Sequence, residues 1–145
     1  MASQVFVVPN SGGNALLACL LLVPAALVVI LAVVFWPRLL RIQVTPQELK
    51  VSGSVYGRTF ARGDLELEDA RVVDLGRERA LVPARRSNGV ALANYQVGWF
   101  RLKNGQRALC FLTARDKVLY LPTKNSFVLL LSVSEPDQLL AALGT

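Results

Sequence analysis

Trp99-Phe100-Arg101-Leu102-Lys103-Asn104-Gly105-Gln106-Arg107-Ala108-Leu109-Cys110-Phe111-Leu112 is the stretch whose reading decides the fold. Two strand-like runs flank Asn104-Gly105, a pair that suits a two-residue type I′ turn, so the stretch predicts a β-hairpin. Working outward, Lys117–Leu121 and Phe127–Ser132 supply two more strands, joined through Pro122-Thr123-Lys124-Asn125-Ser126. Upstream, Leu40, Ile42 and Val44 alternate with Arg41 and Gln43 until Thr45-Pro46-Gln47 breaks the run. Leu49–Ser52, Val55–Phe60 and Arg71–Leu75 follow, separated by turns at Gly53 and Ala61–Asp64. Period-two alternation bounded by Gly, Pro and Asp predicts an antiparallel sheet with one wet face. About seven such strands make a mainly β sandwich or barrel.

One helix closes the chain. Ser134 suits an N-cap, Glu135, Pro136 and Asp137 suit a positive helix start, and Gly144 suits a terminator. Leu139, Leu140 and Leu143 fall on one face at helical spacing, as a helix packed over an open barrel end requires.

The N-terminal part is of another kind. Every one of the 16 Lys and Arg and all 10 Asp and Glu lie at or beyond Arg38. Ala15–Trp36 is uncharged, and as a helix it would run roughly 33 Å against a hydrocarbon core of ~30 Å. The expected organisation is a short non-cytoplasmic segment at 1–14, a transmembrane helix at 15–36 and a folded domain at 39–145. A cleaved signal peptide is disfavoured: no basic residue precedes the run, the run is too long, and Phe35-Trp36-Pro37 is too bulky for a cleavage site. Arg38 and Arg41 beyond the run, with Trp36 as an interfacial anchor, predict an outside N-terminus and a cytoplasmic domain. Pro24 predicts a kink, and no ionisable side chain in the run offers an ion path.

Composition also narrows the chemistry. The chain has no histidine, so Ser-His-Asp, Cys-His and His-based metal sites are absent. Cys19 sits in the apolar run and Cys110 in an apolar strand without a visible base, so no disulfide and no thiol nucleophile are expected. Carboxylates remain: Glu66 and Glu68 in Asp64–Asp69 would project from one face of a strand, as a metal or general-base site or as a solvated edge. No cofactor, metal or small-molecule substrate is implied. The net charge of +6 is dispersed among acids without a nucleic-acid motif, which argues against nucleic acid.

Tyr56-Gly57-Arg58-Thr59, Arg86–Val90, Tyr95-Gln96-Val97-Gly98-Trp99-Phe100-Arg101-Leu102-Lys103-Asn104-Gly105, Val118–Thr123 and Leu129–Val133 together carry a resemblance over most of Leu39–Leu143. The chain resembles the bacterial pleckstrin-homology (PH) domains of small membrane-anchored proteins. The resemblance implies a PH-like antiparallel barrel or sandwich with a C-terminal helix, tethered at a bacterial inner membrane, and no established catalysis. Where a Gly is expected shortly before Tyr95, this chain has Ala93-Asn94.

Leu81–Gly98 is the longest stretch without strand pattern and reads as a loop, a class that is often functional when longer than ~12–15 residues. It holds Arg85, Arg86, Asn88 and Tyr95, and Arg77 and Arg79 lie just upstream. Planar guanidinium groups suit phosphate oxygens, and basic residues near a membrane are drawn to anionic lipid. The reading is a non-catalytic interaction or scaffold module working through protein contacts or self-association. The alternatives are anionic headgroup binding through the Arg77–Arg86 loop and, more remotely, a carboxylate-only enzyme.

Overall fold

The chain divides into two compact units, residues 1–36 and 37–145. The computed structural model describes residues 12–35 and 40–144 of them. In the first unit, helix α1 spans Gly12–Phe35, with Pro24 inside it. Every described side chain of α1 is exposed. Among the described residues no helix is long and apolar enough to cross a membrane. Of the expected span, the side chains of Ala15, Leu16 and Trp36 lie outside the described ones. Arg38 also lies outside the described residues.

The second unit is mainly β. Its strands are β1 (Arg41–Val44), β2 (Glu48–Ser52), β3 (Thr59–Ala61), β4 (Arg71–Val73), β5 (Pro83–Leu92), β6 (Tyr95–Leu102), β7 (Arg107–Leu112), β8 (Val118–Pro122) and β9 (Phe127–Ser132), followed by helix α2 (Pro136–Gly144). They form a three-stranded sheet, β1-β2-β3, and a six-stranded sheet, β4-β8-β9-β7-β6-β5. The sheets face each other as a sandwich, and no closed barrel forms among the described residues. The expected all-antiparallel order needs one correction. The chain passes from β7 to β8 leaving a gap that β9 fills, so β9 runs antiparallel to β8 and parallel to β7.

The expectation of one wet face is also corrected, because the central strands of the six-stranded sheet are buried on both. Leu109, Phe111, Leu119, Leu121, Leu129 and Leu131 join Leu49, Val51 and Phe60 of the small sheet in one core. Their alternate neighbours, among them Ala108, Cys110, Val118 and Leu130, belong to a second core with Leu75 and Leu81. Alternation along a strand sends these sets to opposite faces, which is why the central strands read as continuous apolar runs. The second face is covered by the chain segment 74–82, which crosses from edge strand β4 to edge strand β5. Leu75 N–H donates to the Arg115 carbonyl at 2.8 Å on one side, and Lys103 N–H to the Val82 carbonyl at 3.0 Å on the other.

Helix α2 buries Leu143 and half-buries Leu139 and Leu140 in the first core. Its first intrahelical bond runs from Leu139 N–H to the Glu135 carbonyl, so Glu135, rather than Ser134, holds the N-cap position and Pro136 the first helical one. At the β6–β7 turn, Gly105 takes φ +89° while Asn104 stays at negative φ. Gly105 N–H donates to the Leu102 carbonyl, and Leu102 N–H to Gln106, both at 2.9 Å. The loop is thus Lys103-Asn104-Gly105, a turn followed by a left-handed glycine, in place of the expected two-residue type I′ turn.

Candidate functional site: a cationic face around Trp99

The stretch expected to be a loop, Leu81–Gly98, is for the most part the β5–β6 hairpin, closed at Ala93-Asn94. It escapes a periodicity reading for a physical reason. β5 is an edge strand, exposed along most of both faces, so nothing imposes an apolar alternation on it. Two register shifts, between Pro83 and Arg85 and between Arg86 and Asn88, break the period further. Beyond them Gly89 and Gly98 stand opposite each other. A Cβ on Gly98, at φ +122°, would meet the Asn88 carbonyl oxygen at 2.4 Å, so the two strands approach closely only because that position is glycine.

This hairpin orients Trp99. Its partner across the ladder is Asn88, whose side-chain oxygen accepts a hydrogen bond from the Tyr56 hydroxyl at 2.9 Å. That bond ties the Gly53–Arg58 loop of the small sheet to the hairpin. Val55–Arg58, expected as strand, is loop; the strand starts at Thr59. Arg58 then lies over the half-buried Trp99 ring at 5.6 Å, and Arg107 lies 5.1 Å from the same ring. Phe127 packs edge-on against it at 5.1 Å. Such cation–π contacts at exposed sites are worth ~0.5–1 kcal/mol each.

Two more arginines join by register. Arg85 is opposite Arg101, and Arg101 is opposite Arg107, which sets three guanidinium groups in a row across β5, β6 and β7. Like charges directly opposite one another destabilise a sheet. The described ion pairs are Arg71–Glu78 at 2.9 Å and Arg77–Asp74 at 3.8 Å, and neither includes Arg58, Arg85, Arg101 or Arg107. All four are exposed. Four cations round an aromatic ring, none of them in an ion pair among the described residues, attract an anion, and the planar donor forks suit phosphate or carboxylate oxygens.

The residues singled out from sequence therefore separate. Arg85 and Asn88 belong to this face. Arg86, opposite Phe100, is on the other side of the sheet. Arg77 and Arg79 ride on the crossing segment over the second core, where Arg77 meets Asp74. Tyr95 starts β6, half-buried, and burial pushes its phenol above the usual range. Arg41 starts β1 and is exposed. Arg58, on an earlier segment of the sequence, does face the same surface; Arg101, Arg107 and Trp99 are the members that a search for a loop passes over. The signal for them was the Arg-x-x-x-x-x-Arg spacing of Arg101 and Arg107 about a tight hairpin, which places both on one face.

The acidic run is not a strand. Arg62–Asp64 and Leu67–Asp69 are single 3-10 turns, so Glu66 and Glu68 do not share a strand face. Among the described residues no group of three or more metal-ligating side chains could hold an ion. Cys110 is fully buried, and burial pushes its thiol far up, away from the thiolate a nucleophile needs. With this geometry in hand, comparison with known proteins adds one finding. A family model described as "Bacterial PH domain" matches residues 40–144. No curated protein and no solved structure matches the chain.

Proposed function

The chain belongs to the bacterial PH domain family, and from that premise we propose that it is a non-catalytic interaction module whose contact surface is the arginine face round Trp99. One observation carries the reading: Arg58 and Arg107 lie against the half-buried Trp99, with Arg85 and Arg101 alongside, and no acid pairs with any of them among the described residues. Desolvating such a face against anything but an anion would be costly. The partner is therefore anionic at the contact.

In this reading the module works at a bacterial inner membrane. The uncharged run Ala15–Trp36 supports that, as does a helix α1 whose described side chains are all apolar and exposed. Arg38 and Arg41 favour a cytoplasmic domain. Protease added outside spheroplasts then leaves the domain intact; its digestion would reverse the orientation.

The contact surface is tested by placing a photo-crosslinking phenylalanine derivative at Val90, an exposed position of β5 on the Trp99 side, in native membranes. Mass spectrometry then identifies lipid or protein adducts. Arg58→Gln with Arg107→Gln should abolish most of them, whereas Arg77→Gln with Arg79→Gln should not. Adducts that survive the first pair unchanged would contradict the reading.

A further inference from the structure

In residues 40–144 three large apolar side chains are left exposed: Val55 at 86%, Leu92 at 52% and Val90 at 44%. Their segments are joined through Asn88. Val55 precedes Tyr56, whose hydroxyl reaches Asn88 on β5. Val90 and Leu92 follow Asn88 on the same face of the strand, opposite Val97 and Tyr95. The loop that carries Val55 is a built turn, with Gly57 N–H donating to the Ser54 carbonyl at 2.9 Å and Tyr56 N–H to the Ser54 hydroxyl at 3.3 Å. It holds an apolar tip outward, three residues before Arg58, which forms no ion pair among the described residues.

An apolar tip on the loop that carries Arg58, with guanidinium groups that have no carboxylate partner among the described residues, matches the chemistry of a bilayer interface, where anionic phosphates lie just outside the first methylene groups. The loop is held at the start of the domain: the Arg41 carbonyl, at the start of β1, accepts a hydrogen bond from the Ser52 hydroxyl at 3.3 Å, and Ser52 leads into the Val55 loop.

We propose that the partner of the arginine face is the surface of an anionic bilayer, into whose interface the Gly53–Tyr56 loop inserts Val55 while Arg58, Arg85, Arg101 and Arg107 meet lipid phosphates. The proposal rests on the arginine face being the contact surface and names its partner. Val90 and Leu92 extend the same apolar edge along β5.

The test uses the full chain in lipid nanodiscs with and without phosphatidylglycerol, in a Cys19→Ser background. An environment-sensitive fluorophore is attached at Val55→Cys or, as a control behind the sheet, at Ala80→Cys on the crossing segment. The expected result is a blue shift at position 55 and quenching by spin-labelled lipid several-fold above that at 80. Both effects should require phosphatidylglycerol and fall to the control level in Arg58→Gln with Arg107→Gln. Unreactive Cys110 in each variant certifies an intact core. A water-like position 55 in anionic nanodiscs overturns the insertion, and equal quenching without phosphatidylglycerol overturns the role of the phosphates. If position 55 stays in water while Val90 adducts to a protein persist and still need Arg58 and Arg107, the arginine-face reading stands and the bilayer does not. Loss of both removes both.

Discussion

At the scale of single residues, the same substitution has different consequences at two glycines, because only one of them has a neighbour in the way. Gly105 takes φ +89° with nothing within 4 Å of the place an added methyl group would occupy, so Gly105→Ala meets only the backbone penalty of about 1–2 kcal/mol. Gly98→Ala adds a clash with the Asn88 carbonyl and the Gly89 Cα, both backbone atoms that cannot swing aside. Its loss should exceed ~3 kcal/mol; chemical denaturation of the detergent-solubilised chain compares the two, and equal losses would mean that the strands do not approach as described. Cys110 gives a pH dependence. Its thiol is pushed up in the fold, so as pH rises past the ordinary value of about 8.5 the unfolded state ionises and the folded state does not. Stability is therefore complete below that value and falls as pH rises above it. Cys110→Ala should flatten the fall between about pH 9 and 10, above which Tyr95, also pushed up by burial, adds its own decline.

At the scale of elements, legibility followed burial. β7, β8 and β9, with both faces covered, appear in the sequence as apolar runs with nearly their observed bounds, and α2 appears in its leucine spacing. β5 did not, since a bulged and exposed edge strand has no face whose burial would write a pattern. Val55–Arg58 misled in the opposite sense: β-prone residues there serve a loop that reaches Asn88. The parallel pairing of β7 with β9 was beyond any local reading, because hydrophobic period says which face a residue takes and not which strand lies beside it. The same contrast predicts hydrogen exchange. Amides of Val128–Leu131 in central β9 should exchange slowest in the domain, and the outward amides of β5 within the fastest group among the strands. Uniform protection across the two would mean that β5 has a partner strand on its free edge.

At the scale of the whole molecule, half of the site was legible. Arg85 and Asn88 could be chosen from composition alone, whereas Arg58, Arg101 and Arg107 meet them only because the hairpin register and the Tyr56–Asn88 bond fold three separate segments onto Trp99. Arg77, Arg79 and Arg86, close in sequence, go to the other side of the sheet, where Asp74 and Glu78 offset part of the charge. Of the two groups of arginines, one thus forms ion pairs and the other forms none among the described residues. The most direct test of the account is the rate at which a water-soluble maleimide modifies Val90→Cys, in a Cys19→Ser background, in open membrane fragments and in detergent. The account predicts slow modification in membranes at low salt and recovery to the detergent rate at 1 M salt, where screening reaches ~3 Å, with Arg58→Gln plus Arg107→Gln removing the protection at any salt. Equal rates in membranes and detergent at low salt would contradict it.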